Sequence, residues 1–433
     1  MHKYTGRLTR SLVGFPEGFW WLWTSTLVNR LGTFVFPFLA IYLTSVRGYS
    51  AAHAGLVLAI YGVGASIGAL LGGELSDRVG RRATMAGAQV VTAVATAAMG
   101  FVAGPAAIAV LAFLVGAAAN ASRPAVSAMI LDLVAPEDRE RAFAVNYWAI
   151  NIGFGFSAAV AGFLVHQGYV WLFLGDAVTT LLCAVVMWLK LPETRPEKSG
   201  ESSSPVPAAR VGLRNMLGDS RFLVLCLLGF AMWMMFFQGA SSLPVAMAEG
   251  GIGTQAYGLI IALNGILIVV LQIPVTAILK EGNRATVLAL SAVLTGAGFG
   301  LNGFAGTSIF LYSLSVVLWT LGEIAYAPAS AATVADLSDE RARGRYQGLF
   351  AFSISVASVL APLAGGLALD NWGGPALWLV CAGVGAATAA GFWALLTVSR
   401  RASGHADVVL ESESPLLAKR RETVPVTTSG AAS

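Results

Sequence analysis

The sequence predicts an all-α membrane protein whose twelve transmembrane helices form two pseudo-symmetric six-helix bundles. Three observations carry that expectation. Of 433 residues, 56% are hydrophobic and only 12% are charged, about half the charge of an ordinary soluble domain. A spanning helix needs about 20 mostly apolar residues, so twelve need roughly 240, close to what the composition supplies. The second half of the chain also repeats the pattern of the first. A soluble globule of this length would require surface charge that is not present.

Apolar runs separated by turn signals place helices near 18–46, 52–73, 84–103, 106–133, 142–166 and 170–190. A second set falls near 222–248, 255–279, 285–305, 308–336, 346–369 and 375–397. The first run is much longer than a signal-peptide core and lacks a small-residue cleavage site, so it reads as a retained first span. The domains are then an N-terminal segment 1–17, a bundle 18–191, a linker 192–220, a bundle 221–397 and a tail 398–433. The linker is rich in Pro, Ser and charge and reads as solvated. The polar, small-residue tail is expected to be disordered. With the N-terminus in the cytoplasm, 24 of the 27 Lys and Arg residues fall on inner segments. The outer loops hold only Arg47, while Arg30 and Arg123 lie within helices. This asymmetry predicts a multi-pass protein of the cell membrane with both termini cytoplasmic.

Shifting residues 124–162 by 204 places Pro124 on Pro328, Ala128 on Ala332, Asp132 on Asp336, Arg139 on Arg343 and Gly162 on Gly366. With a shift of 202, Gly80-Arg81-Arg82-Ala83-Thr84 meets Gly282-Asn283-Arg284-Ala285-Thr286. A parallel duplication of six helices predicts a site near the membrane midplane, between two bundles that rock.

Other function classes lack their residues. The net charge of +4 is modest and forms no compact basic patch, so no nucleic-acid partner is expected. Cys183, Cys226 and Cys381 lie inside apolar runs, which argues against a disulfide framework or a spaced metal site. The four histidines are far apart, without a zinc pattern. No clustered nucleophile, base or metal set marks a membrane enzyme. A non-transporting sensor would need a soluble output domain, for which linker and tail are too small. The expected partners are the lipid bilayer and a small-molecule substrate; no cofactor is expected, and the protein reads as a monomer.

Between helices 2 and 3 stands Gly73-Glu-Leu-Ser-Asp77-Arg78-Val-Gly80-Arg81-Arg82. Gly80 suits a tight turn, and Gly73 permits close approach of another helix. This segment resembles the signature loop of the major facilitator superfamily, G-x-L-a-D-R-x-G-R-[RK]. Pro124, the Asp132-Leu-Val-Ala-Pro-Glu-Asp-Arg139 stretch and Ala361-Pro362-Leu-Ala-Gly365-Gly366 extend the resemblance, which covers residues 18–397. It implies that Asp77, Arg81 and Asp132 form a cytoplasmic latch holding the outward-open state, weakened in the second copy, where Leu279 stands for Asp77. Within the superfamily the chain is most similar to twelve-helix drug:proton antiporters. It departs from them at Ala112, where the exporters carry arginine, and at Ser157-Ala-Ala-Val-Ala-Gly162, where they carry a glycine-proline motif. The resemblance implies alternating access and proton-driven efflux of amphiphilic compounds or drugs.

Three charges sit deep in predicted spans. Arg30 is roughly 18 Å into helix 1, Arg123 about 13–14 Å from the inner end of helix 4, and Glu323 roughly 20 Å from that end of helix 10. A charge at that depth costs on the order of 3 kcal/mol, a cost borne toward a wet cavity or an opposite charge. The resemblance implies that helices 1, 4, 7 and 10 line such a cavity. Asn29 adjoins Arg30, and Asn120, Arg123 and Ser127 share one helix face. Trp233, Phe236 and Phe237 with Gln238 on helix 7, and Trp319 and Tyr326 on helix 10, are placed to stack on or bond a flat ligand. Lipid-facing aromatics would look the same. Helix 8 adds Asn264, read equally as interhelical glue. Asp176, on peripheral helix 6, reads as capping or bonding a neighbouring helix. Glu323 is the candidate proton-coupling carboxylate, with Arg123 as its partner across the cavity. The alternative gives Arg30 and Arg123 to an organic-anion or metabolite substrate, whose carboxylate or phosphate guanidinium matches.

Overall fold

The computed structural model describes residues 14–194, 218–279, 282–338 and 342–422. The segment 1–13, most of the predicted linker and 423–433 lie outside them. Ten described stretches are long and apolar enough to cross a membrane. In chain order the helices are α1 Glu17–Val46, α2 Ala51–Val79, α3 Arg81–Met99, α4 Pro105–Leu133, α5 Arg139–Leu164 and α6 Tyr169–Lys190. The second set is α7 Ser220–Glu249, α8 Thr254–Leu279, α9 Arg284–Leu301 and α10 Ile309–Leu337. α11 (343–372) and α12 (374–422) are joined by Gly373 alone, whose φ of 76° breaks an otherwise continuous helix. The apolar stretch Arg343–Thr397 thus holds two spans. α3 is the least apolar of the first six helices, because it carries Arg81, Arg82, Thr84, Gln89, Thr92 and Thr96; the last three are buried.

Local chemistry sets the helix starts. The Ser50 hydroxyl accepts from the His53 N–H, Asp219 from Phe222, Asn283 from Ala285 and Ser308 from Leu311. Each satisfies a backbone donor that the first turn leaves without a partner. Pro105 opens α4 at a position where its missing N–H costs nothing.

Three features differ from the sequence reading. The signature segment is not an extended loop: α2 runs through Val79, and only Gly80 turns the chain, with φ of 115°. No breaker stands between Gly73 and Gly80, so the helix continues past the apolar part. The tail, expected to be disordered, continues α12 as helix to Glu422, because the run of Ala, Leu, Glu, Lys and Arg favours helix locally despite Gly404 and Pro415. α1 is interrupted at Gly32–Phe34 and ends in a π-helical turn, Tyr42–Val46.

Each half packs on itself. In the first, Gly64, Gly68 and Gly72 of α2 face the backbone of α4 so closely that a Cβ on any of them would collide with it. This is the close packing of small residues typical of membrane helices. Gly73, singled out in the sequence for that role, only meets Pro124 at ordinary contact distance. The ends carrying Arg81, Asp132, Arg141, Glu193, Asp219, Arg284, Asp336 and Tyr346 are tied together in each half and form one face, termed basic because Arg78, Arg82, Arg139, Lys190, Arg221, Arg343 and Arg345 also stand on it.

The halves meet from mid-depth to the opposite face. α2 packs on α11, with Gly55 and Gly62 against the Pro362 and Ser358 carbonyls. α5 packs on α8, with Gly258 and Gly265 against Ala158 and Asn151. The outer part of α1 packs on α7, and the Tyr257 hydroxyl donates to the Pro37 carbonyl at 3.0 Å. At the far end the Asp370 carboxylate of α11 accepts from the Ala51 and Ala52 N–H groups of α2, both at 2.9 Å. This carboxylate at a helix N-terminus joins the bundles.

Candidate functional site

Below that closed seam a cavity of about 510 Å³ separates the halves toward the basic face. Its first-half wall includes Arg30, Thr33 and Phe36 of α1, Tyr61 and Ser66 of α2, Asn120 and Arg123 of α4, and Phe154 of α5. The other wall includes Trp233, Phe237 and Ser241 of α7, Glu323 of α10, and Ser355, Ser358 and Pro362 of α11. All three mid-span charges therefore face one space, with Arg123 exposed to it. One wall carries two guanidinium groups with Phe36, Tyr61 and Phe154; the other carries Trp233, Phe237 and one carboxylate.

The partners of these charges differ. Asn264 donates from Nδ2 to Glu323 Oε2 at 3.1 Å and to Thr320 Oγ1 at 3.0 Å, linking α8 to α10 at the carboxylate. Neither Arg30 nor Arg123 makes an ion pair or hydrogen bond among the described residues, so the expected Arg123–Glu323 pair is not formed in this conformation. Asn120 is buried beside Arg123 and donates to the Gly116 carbonyl at 2.9 Å. Asn29 faces Gln89 at 3.4 Å in an adjoining space within the first bundle. Asp176 bonds a neighbouring helix: its Oδ2 accepts from the Val35 N–H at 3.1 Å, just after the break in α1, and its Oδ1 from the Thr180 hydroxyl at 3.2 Å.

Besides Asn29 and Phe236, which do not line the cavity, three further residues expected there lie elsewhere. Gln238 is buried, donating to the Ala361 carbonyl at 2.9 Å and accepting from the Ser242 hydroxyl at 2.6 Å, so its amide joins α7 to α11. Trp319 stacks on Phe299 inside the second bundle, centroids 5.6 Å apart and planes 17° apart. Tyr326 is buried between Phe236 and Phe392. Helical spacing placed them on the right helices but on inward faces covered by neighbours. The sequence reading missed Thr33, Phe36, Tyr61, Phe154, Ser355 and Ser358, neutral residues in apolar runs whose insertion cost raises no flag.

A Major Facilitator Superfamily model matches residues 22–281 and 240–425 in two overlapping stretches. The chain belongs to that superfamily. Among curated superfamily members it is 28% identical over 375 residues to YqjV of Bacillus subtilis, an uncharacterized MFS-type transporter, covering 82% of this chain and 87% of the relative. It is 25% identical over 362 residues to the multidrug resistance protein MdtH of Salmonella typhimurium, covering 82% and 87%. Its fold matches the nucleoside transporter NupG with a TM-score of 0.72 at 16% identity, covering 88% of this chain and 99% of that one. The POT family transporter PepTSo matches at 0.73 and 17%, covering 90% and 99%. The chain is thus a multi-pass membrane transporter with the superfamily fold, and not an enzyme.

In this superfamily member the signature segment divides its work. Arg81 forms an ion pair with Asp132 at the end of α4. Arg78 pairs with Glu74 along the surface of α2. The Arg82 guanidinium lies 4.9 Å above the Trp188 ring, while Glu193 accepts from the Arg82 and Ala83 N–H groups at 3.0 and 3.1 Å, capping α3. A Cβ at Gly80 would strike the Glu193 carboxylate. Asp77 is exposed and has no ion pair or hydrogen bond among the described residues. Of the three residues that the resemblance assigns to a latch, Arg81 and Asp132 thus form an ion pair with each other, and Asp77 takes no part in it.

Proposed function

We propose that the protein exports small amphiphilic molecules in exchange for protons by alternating access, with its basic face in the cytoplasm. The observation that carries this reading is the cavity between the halves, where Trp233, Phe237, Phe36 and Phe154 face a space that also holds the Glu323 carboxylate. Aromatic walls accept flat apolar bodies without a fixed hydrogen-bond pattern. A carboxylate facing the same space binds a proton or a cationic group in turn, which couples the two. The relatives named for multidrug resistance agree with it, as does the segregation of Lys and Arg to one face.

In proteoliposomes with an imposed proton gradient, Glu323→Gln is expected to lose proton-driven transport at least tenfold while still binding substrate. Retained proton-driven transport removes Glu323 from the coupling role. A second reading, an organic-anion or metabolite porter, is favoured by Arg30 and Arg123, which face the cavity without a carboxylate partner. Transport of anionic against cationic compounds, in cells lacking their own efflux pumps, decides between them. If Arg30→Ala and Arg123→Ala leave anion transport intact, the second reading falls.

A further inference from the structure

Beside the central cavity, the first bundle encloses a smaller space of about 80 Å³ among α1, α2, α3, α4 and α6. One water needs roughly 10–15 Å³ on this kind of measure, so the chamber has room for several waters or one compact ion. It joins the central cavity at Arg30 and Arg123, which line both. Its inner wall is polar: Gln89, Thr92 and Thr96 of α3 turn into it and are buried. Gln89 Oε1 accepts from Asn29 Nδ2 at 3.4 Å and the Thr92 hydroxyl donates to the Ala88 carbonyl at 2.9 Å, so the wall is polar yet internally bonded, and the Gln89 amide nitrogen is its donor toward the chamber.

Charge narrows the occupant. The two guanidinium groups at the mouth have no ion-pair partner among the described residues. The chamber's one carboxylate, Asp176, has both oxygens engaged, by the Val35 N–H and the Thr180 hydroxyl. Glu323 belongs to the opposite bundle, where Asn264 holds it. Two cations against one carboxylate leave a single positive charge beside the Asn29 and Gln89 amides, in surroundings where electrostatic attraction is stronger than in water. We propose that the chamber is a subsite for a compact monovalent anion, bound at Arg30 and Arg123. That anion is either a free halide or the carboxylate head of an organic compound whose body rests in the central cavity. This deepens the transport reading, yet binding is measurable without transport.

The test uses purified full-length protein in gluconate buffer, titrated at constant ionic strength with sodium bromide and, separately, with sodium 1-naphthoate. Tryptophan fluorescence and the thermal midpoint report binding. Both titrations are expected to saturate, and bromide is expected to compete with naphthoate. Arg123→Gln should weaken both at least tenfold. The double variant Gln89→Leu/Thr96→Val, which keeps both guanidinium groups, should weaken bromide at least threefold. Trp233→Ala should weaken naphthoate alone, which separates a head in the chamber from a body in the cavity. Thermal midpoints in gluconate establish that each variant is folded. A bromide response that rises linearly, or that a folded Arg123→Gln protein retains in full, overturns the proposal. So does naphthoate binding that bromide leaves unchanged. Saturable bromide binding in a protein that moves no substrate would sink the transport reading and leave the subsite standing.

Discussion

In the first bundle, the space bounded by α1, α2, α3, α4 and α6 is a chamber whose lining includes Gln89, Thr92, Thr96, Arg30 and Asp176. In the second, Phe299 of α9, Trp319 of α10 and Trp378 of α12 stack in near-parallel planes and occupy the interior. The repeat makes the contrast specific. Shifted by 204, Trp319 falls on Val115 and Glu323 on Ala119, both of which line the chamber. One duplicated unit thus filled its interior with rings and kept a single carboxylate for the cavity. The other kept small and polar side chains and placed two arginines at the mouth. Duplication fixes where helices sit, while the side chains on equivalent faces remain free to diverge into a half filled by rings and a half that encloses a polar space.

The contrast predicts unequal responses to truncation. Trp319→Ala removes a fully packed ring and should cost about 3–5 kcal/mol, as large-to-small core changes do. Val115→Ala borders space that is already open and should cost about 1 kcal/mol. Trp319→Phe is the informative control. The indole Nε1 has no hydrogen-bond partner among the described residues, so the ring should matter and its N–H should not. Thermal midpoints in detergent measure all three. If Val115→Ala proves as damaging as Trp319→Ala, the first bundle is as tightly packed as the second and the comparison breaks.

A smaller effect sharpens the same point at α1. This helix is broken at Gly32–Phe34, and Asp176 holds the restart, whereas its counterpart α7 runs unbroken from Ser220 to Glu249. Asp176→Ala leaves the Val35 N–H and the Thr180 hydroxyl without their acceptor, a loss of about 1–3 kcal/mol. Asp176→Asn keeps an acceptor oxygen and should recover most of it. Equal losses in the two variants would mean that the charge, rather than the hydrogen bonds, holds the break.

How much of this was legible in the sequence depends on the kind of signal. The twelve spans and the pairing of halves rest on segment-long averages, which tolerate local error. Arg30, Arg123 and Glu323 stood out because a charge in an apolar run is expensive and therefore rare. Gln238, Trp319 and Tyr326 lie away from the cavity: periodicity identifies a face of a helix but not the neighbour covering it. Tyr61, Ser355 and Ser358 escaped notice for the opposite reason, since neutral residues cost little anywhere in a span. The single-residue joint at Gly373 was hidden too: Asn371-Trp372-Gly373-Gly374-Pro375 reads as a loop, yet one positive-φ glycine is enough to redirect the chain.

The smallest predicted difference lies at the basic face, where the halves carry analogous ion pairs in unlike surroundings. Arg81 pairs with Asp132 at side-chain exposures of 13% and 28%, whereas Arg284 pairs with Asp336 at 45% and 61%. The carboxylates are equivalent under the 204-residue shift, but under the 202-residue shift that aligns the signature segment Arg284 stands on Arg82, and Asn283 takes the place of Arg81. The second pair is therefore a neighbouring solution to the same contact, reached from a more solvated position. Exposed pairs contribute about 0–1 kcal/mol and weaken with salt. A half-buried charge-assisted bond is worth about 1.5–3 kcal/mol. Arg81→Ala should accordingly lower the thermal midpoint more than Arg284→Ala, and raising sodium chloride to about 0.5 M, where the Debye length is well below 10 Å, should abolish only the Arg284 effect. Equal, salt-sensitive losses at both positions would show that the first pair is as solvated as the second, and that the bundles differ in their interiors but not at these ion pairs.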